Sequence, residues 1–133
     1  PTRDEGDFLR NFGALTIGPN GAWFDTNGHS ITIDGDTTFS GSGSLDKTGA
    51  GTLTLTGDSS THSGNTEVNG GTLAIASGGK LGSSIGLIGN GVGSTGTVSV
   101  SGAGSKWTNP NALYVAAGHR HADLSRDGGT VSA

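Results

Sequence analysis

Gly51-Thr52-Leu53-Thr54-Leu55-Thr56-Gly57 returns 20 residues later as Gly71-Thr72-Leu73-Ala74-Ile75-Ala76, and 25 residues after that as Gly96-Thr97-Val98-Ser99-Val100-Ser101-Gly102. In each copy two apolar residues stand at i and i+2. On a pleated strand that pair shares one face, and the Thr, Ser or Ala between them takes the other. A self-similar unit of roughly 20–25 residues is a solenoid signature. So short a unit, made of two or three strands, cannot bury its apolar face alone, and its Leu, Ile and Val must stack on their equivalents in neighbouring units. The expectation is an all-β chain, a right-handed parallel β-helix of about six coils, each displaced by the ~4.8 Å spacing of hydrogen-bonded strands. A β-sandwich of antiparallel hairpins is the alternative, but sandwiches use longer strands and do not repeat a seven-residue motif almost verbatim.

The same alternation recurs in Ala14-Leu15-Thr16-Ile17, Ser30-Ile31-Thr32-Ile33 and Leu113-Tyr114-Val115. Between such strands stand Asn20-Gly21, Asn27-Gly28, Asp34-Gly35, Asn69-Gly70-Gly71, Asn90-Gly91 and Asp127-Gly128-Gly129, pairs that supply the positive φ values of tight turns. The expected core is Leu53, Leu55, Leu73, Ile75, Val98 and Val100, in contact along the stack, with parallel ladders joining residues near 53, 73 and 98.

Composition bounds the rest. Of 133 residues, 27 are Gly, 17 Thr and 16 Ser, while Leu, Ile, Val and Phe total 26. So low an aliphatic share borders on the disordered class, but the net charge of −4 is too small for it, and periodicity decides. Gly and Pro interrupt the chain too often for a helix of normal length, at about 1 and 3 kcal/mol per interior residue. No apolar stretch approaches the roughly 18–20 residues of a membrane helix, so no membrane insertion by this segment is expected. With 7 basic against 11 acidic residues and no basic cluster, no nucleic-acid partner is expected. The lack of Cys removes disulfides, thiolate metal sites and Cys nucleophiles together.

Gly41-Ser42-Gly43-Ser44-Leu45-Asp46-Lys47-Thr48-Gly49-Ala50-Gly51-Thr52-Leu53-Thr54-Leu55-Thr56-Gly57, followed by Ser63-Gly64-Asn65-Thr66-Glu67-Val68-Asn69-Gly70-Gly71-Thr72-Leu73-Ala74, resembles the passenger-associated transport repeat of bacterial autotransporters. That motif reads roughly G-x-G-x-L-x-K-x-G-x-G-x-L-x-L-x-G and then x-G-x-T-x-V-x-x-G-x-L. The flanks agree: Asp25-Thr26-Asn27-Gly28 resembles a segment that often precedes the repeat, and Val100-Ser101-Gly102-Ala103-Gly104-Ser105-Lys106-Trp107-Thr108-Asn109 resembles a unit of the same passengers. Together these cover about residues 12–115. The resemblance implies that residues 1–133 are a single β-helix segment of a longer, type V-secreted passenger, with the repeat at 41–75. It further implies export through an outer-membrane barrel, an extracellular or cell-surface location, and a stalk or adhesin-type role rather than an enzymatic one. The structural positions carried over are Gly49, Gly51, Leu53, Leu55, Gly57, Thr66, Val68, Gly71 and Leu73. In the family the repeat is associated with transport and folding, which implies a scaffold there and not a ligand site.

One segment departs from the pattern. After Val115 the family would continue with G-T-G-T-L-T, whereas this chain reads Gly118-His119-Arg120-His121-Ala122-Asp123-Leu124 and rejoins at Asp127-Gly128-Gly129-Thr130-Val131. A single inserted base before codons for G-T-G-T-L-T yields Gly-His-Arg-His-Ala-Asp, so the segment from about Ala117 to Arg126 reads as a compensated local frameshift. Resequencing the gene tests this, and codons at 118–123 that are not the shifted set refute it. The same segment offers the one arrangement suited to a metal: His119, His121 and Asp123 alternate, so an extended strand would project two imidazoles and a carboxylate from one face. The competing reading is a solvated polar insertion, and no cofactor is expected.

Catalytic signals are weaker still. The β-helix lyases and hydrolases need clustered carboxylates, whereas Asp25, Asp34, Asp36, Asp46 and Asp58 are spread singly, and Asp34-Gly35-Asp36 reads as a turn. His29 and His62 stand beside Gly or Ser and read as surface-loop residues. Trp23, Trp107 and Tyr114, with Phe24, are candidate stacking platforms for a glycan; alternatively Phe24, Trp107 and Tyr114 close the core or stack between coils. Two function classes therefore stand open: a passenger segment that meets a host or bacterial surface receptor or glycan through a Thr- and Ser-lined face, and a β-helix that binds or degrades polysaccharide. Because open coil ends present unpaired strand edges, the isolated chain is expected either to self-associate or to fray at its termini, with residues 1–10 and 117–133 the least protected because they lack the strand repeat.

Overall fold

Alternation with a turn every few residues leaves the chain little choice but to wind, and it does. The computed structural model describes residues 5–9, 12–115 and 122–132, with backbone alone at 5–9 and 122–126. Among these residues seventeen short strands follow one another in three-strand coils. The first coil holds β1 (Glu5–Leu9), β2 (Gly13–Thr16) and β3 (Ala22–Asp25), and the second β4 (Ser30–Ile33), β5 (Thr37–Ser40) and β6 (Leu45–Thr48). The third holds β7 (Thr52–Leu55), β8 (Asp58–Ser59) and β9 (Thr66–Val68), and the fourth β10 (Gly70–Ile75), β11 (Lys80–Gly82) and β12 (Ile85–Ile88). The fifth holds β13 (Thr95–Ser101), β14 (Lys106–Thr108) and β15 (Ala112–Val115), after which β16 (Ala122–Asp127) and β17 (Thr130–Ser132) open another. Among the described residues there is no helix, hence none long and apolar enough to cross a membrane.

Each coil contributes its first strand to one sheet, β1-β4-β7-β10-β13-β16, so about five turns separate six strands. The third strands form β15-β12-β9-β6-β3, and the second strands form β17-β14-β11-β8 and the pair β2-β5. The two second-strand sheets are joined by the Phe39 amide, which donates to Ser59 Oγ at 2.8 Å, and by a bridge between Gly41 and His62. The strand pairings from β4 to β13 are parallel and in register, with Ile31, Leu53, Leu73 and Val98 in one file and Ile33, Leu55, Ile75 and Val100 in the next. All eight side chains are buried. This is the parallel β-solenoid that the repeat predicts, and antiparallel hairpins are absent from that column. Outward, the same sheet carries Ser30, Thr52, Thr72 and Thr97 in one file and Thr32, Thr54, Ala74 and Ser99 in the other.

The corners explain the glycine content. Gly51 (φ 96°) and Gly71 (φ 61°) occupy the left-handed region, where a side chain is strained, at the corner that leads into the first sheet. A Cβ on Gly71 would also stand 2.6 Å from the Gly49 carbonyl oxygen and 2.9 Å from Lys47 Nζ. Successive coils approach here backbone to backbone, which a repeat position filled by anything larger would prevent.

The last strand of the first sheet bears on the frameshift reading. β16 continues the first sheet in register, placing Leu124 opposite Val98 and Arg126 opposite Val100. Arg126 thus takes a register position that Ile33, Leu55, Ile75 and Val100 fill with aliphatic residues. His119 and His121 lie outside the described residues, as does the side chain of Asp123; of the terminal segments named for low protection, residues 1–4, 10, 117–121 and 133 lie outside as well, while 5–9 and 122–132 carry the paired strands β1, β16 and β17.

Candidate functional site

Three features gather the polar chemistry of the chain. The first is Lys47. In β6, Leu45 and Lys47 share the inward face by the period of two, and Lys47 stands in file with Phe24, Val68 and Ile88. Only 1% of it is exposed. Its ammonium reaches the corner beyond its own strand and donates to the carbonyl oxygens of Thr48 (2.8 Å), Gly49 (2.8 Å) and Gly70 (3.0 Å). Three donors meet three acceptors, two at the end of its own coil and one, Gly70, just past the end of the next. Burial pushes the Lys47 ammonium down from 10.5 to about 8, opposed by the Asp25 carboxylate. Between those values the unfolded chain holds a proton that the folded chain has released, so stability should rise with pH across that window, with a slope of up to about 1.4 kcal/mol per pH unit. Denaturant melts at pH 7.5, 9 and 10 should show this, and Lys47→Met should flatten the dependence.

The second feature is His62, at the corner between the second and third strands. It is 2% exposed and not the surface-loop residue its Ser and Thr neighbours suggest. Its Nδ1 lies 2.7 Å from the Gly82 carbonyl oxygen and its Nε2 2.9 Å from that of Gly43. Those acceptors come from the coils after and before it, so the ring spans three coils. Around it opens a groove of about 450 Å³, bounded by residues 60–63, 82–84, 108, 110 and 111. Beneath the groove the Trp107 indole N–H donates to Ser83 Oγ at 3.0 Å, and the Ser83 and Thr66 hydroxyls stand 2.6 Å apart.

The third feature is the outer face of the β15-β12-β9-β6-β3 sheet, where Trp23, Asp46, Glu67, Leu87 and Tyr114 stand in one register row. Trp23 is 67% and Tyr114 51% exposed. Burial raises the Asp46 carboxyl above its ordinary range and the neighbouring Glu67 adds to this, while the Ser44 hydroxyl, donating to Asp46 Oδ2 at 2.8 Å, opposes both.

These placements sort the sequence candidates. Trp107 is fully buried, so it cannot offer a ring face to a glycan; it fills the space above Gly86, where a Cβ would come within 2.7 Å of the indole. Phe24 is half-buried and tilts against Phe39 with ring centroids 5.8 Å apart, as a core residue does. Tyr114 does not close the core, because the alternation of β15 turns it outward. Asp34-Gly35-Asp36 forms the expected turn, with the Asp36 amide donating to Asp34 Oδ1 at 3.1 Å. Asp58 accepts hydrogen bonds from Ser60, which hold its carboxyl below the ordinary range, and pairs with Lys80 at 3.1 Å. Among the described residues no three His, Asp or Glu side chains converge on a metal position.

Of the structural repeat positions, Leu53, Leu55, Thr66, Val68 and Leu73 are buried, and Gly49, Gly51 and Gly71 have positive φ at the corner that Lys47 ties together. Gly57 packs under the preceding coil, where a Cβ would stand 2.8 Å from the Thr37 carbonyl oxygen. Sequence reasoning passed over Lys47 and read the buried His62 as a surface-loop residue. For Lys47 the signal was present, since it sits two residues after Leu45 on the same face. For His62 there was none, because its burial is made by backbone carbonyls of other coils.

No curated protein and no solved structure compared with the chain gives a match. The family model of the passenger-associated-transport-repeat matches residues 45–75, and these are β6 to β10, the strands that Lys47 and the corner glycines join. The middle of this β-solenoid is a passenger-associated-transport-repeat, as found in autotransporter passengers.

Proposed function

We propose that the chain is a surface-exposed segment of an autotransporter passenger, serving as stalk and adhesin-type scaffold and not as a catalyst. The observation that carries this reading is the repeat at residues 45–75 set in uninterrupted register within the solenoid. A parallel stack of this kind grows along one axis and presents its outward files as a continuous face. The outward Ser and Thr files of the first sheet give that face hydroxyls at each strand step, suited to many weak polar contacts with a host or bacterial surface. The location that goes with this is the bacterial cell surface or the extracellular medium.

The test is display. Cells carrying the chain ahead of an outer-membrane barrel should lose it to external protease and should adhere to a host-cell or bacterial layer better than cells showing the barrel alone. Equal adhesion would remove the adhesin role, and protease resistance in intact cells would remove the surface location.

A further inference from the structure

We propose that the groove over His62 is a binding site for a neutral oligosaccharide. The inference rests on the adhesive reading above and names the ligand class and the place. Unlike the exposed aromatic row, the groove is concave, and its roughly 450 Å³ falls in the range of about 300–1,000 Å³ usual for small-molecule sites. It runs along the solenoid axis over three coils, since residues 60–63, 82–84 and 108–111 stack on one another there.

The lining selects the ligand. Among the described residues no acidic side chain and no Lys or Arg borders the groove, and both nitrogens of the His62 imidazole are already engaged by Gly43 and Gly82. A charged ligand would find no carboxylate, ammonium or guanidinium there to pair with. What the walls supply is hydroxyl groups, from Thr61, Ser84 and Thr108 among others, each with a hydrogen to donate and an oxygen that accepts; the Ser63 hydroxyl donates to the Gly41 carbonyl and can accept. Asn111 Nδ2 donates to Ser84 Oγ at 2.7 Å, which orients that pair and leaves the Ser84 hydroxyl hydrogen for a ligand oxygen. Pro110 provides an apolar ring beside them, a surface for the C–H face of a pyranose. Closely spaced donors and acceptors next to an apolar edge match a chain of neutral sugars. The buried His62 and Ser83 fix the floor, so the site is largely formed before the ligand arrives.

Trp107 makes the site testable, because its indole N–H bonds Ser83 in the groove floor. Trp23→Phe leaves Trp107 as the sole tryptophan. In that background the chain should be titrated with neutral gluco-, manno- and galacto-oligosaccharides, with oligogalacturonate, and with glucosamine oligomers, followed by fluorescence and by calorimetry. The expected result is saturable binding of a neutral oligosaccharide, weakened about tenfold or more by Ser84→Phe, which fills the groove, and by Asn111→Ala, which removes the amide. Thermal melts check that both variants fold, and Thr61→Phe replaces either that does not. Saturation by the anionic or amino sugars alone, no saturation by any sugar, or binding unchanged in the folded groove variants would each overturn the proposal. Displayed cells keep the two readings apart: adhesion retained in Ser84→Phe removes the groove and leaves the adhesin role, whereas no adhesion by the parent chain removes that role whatever the sugars do.

Discussion

Gly64→Ala should destabilise the chain by about 3 kcal/mol or more, a larger loss than overpacking usually brings. Gly18, Gly43 and Gly64 stack at the corner between second and third strands, and a Cβ added to Gly64 would overlap the Gly43 carbonyl group of the coil below. The atoms in the way are backbone, held on both sides by the ladders, so relief requires two coils to part. The carbonyl of Gly43 also accepts from His62, so parting the coils there strains that contact as well. Gly18→Ala is the internal control. It sits in the same stack with nothing within 4 Å of an added Cβ, so it should be neutral or stabilise by up to about 1 kcal/mol through the unfolded chain. Equal losses in the two variants would show that the coils are not in this close contact.

Leu73→Ala should cost about 2–5 kcal/mol in denaturant melts. Leu73 is fully buried in the middle of its file, between Leu53 and Val98, so the cavity it leaves is closed above and below by side chains fixed to their own strands. Thr72, one residue away, alternates to the outer face, and Thr72→Ala should stay within about 0.5 kcal/mol. A loss below about 1 kcal/mol for Leu73→Ala would place it on the wrong face and shift the whole register by one residue.

Both expectations stem from a pattern legible in the sequence, because a solenoid writes its long-range contacts as local repetition. Leu53, Leu73 and Val98 could be set side by side from three copies of one heptapeptide, and they pair residue for residue. The other two faces were harder to see. β8, β11 and β14 have only two or three residues each, too few to show a period. The site was less legible than the fold. The groove is bounded by corner residues from three coils, whose spacing in the chain carries no alternation, and His62 is buried by carbonyl groups that any residue would supply. Trp107 and Tyr114 could not be told apart by composition; the strand parity that buries one and exposes the other depends on where β14 and β15 begin.

The parallel ladders also set how such a rod bears load. Their hydrogen bonds run from coil to coil, along the solenoid axis, so a pull between the two ends loads successive interfaces in series and not in shear. The weakest interface yields first, and each coil that peels away releases 20 to 26 residues, the spacing of paired strands. Stretched out, that length is about 70–90 Å, against the ~4.8 Å it occupied in the stack. A tether of this design lengthens by more than tenfold per released coil, and so dissipates a sudden tug in small steps before the force reaches whatever its far end holds.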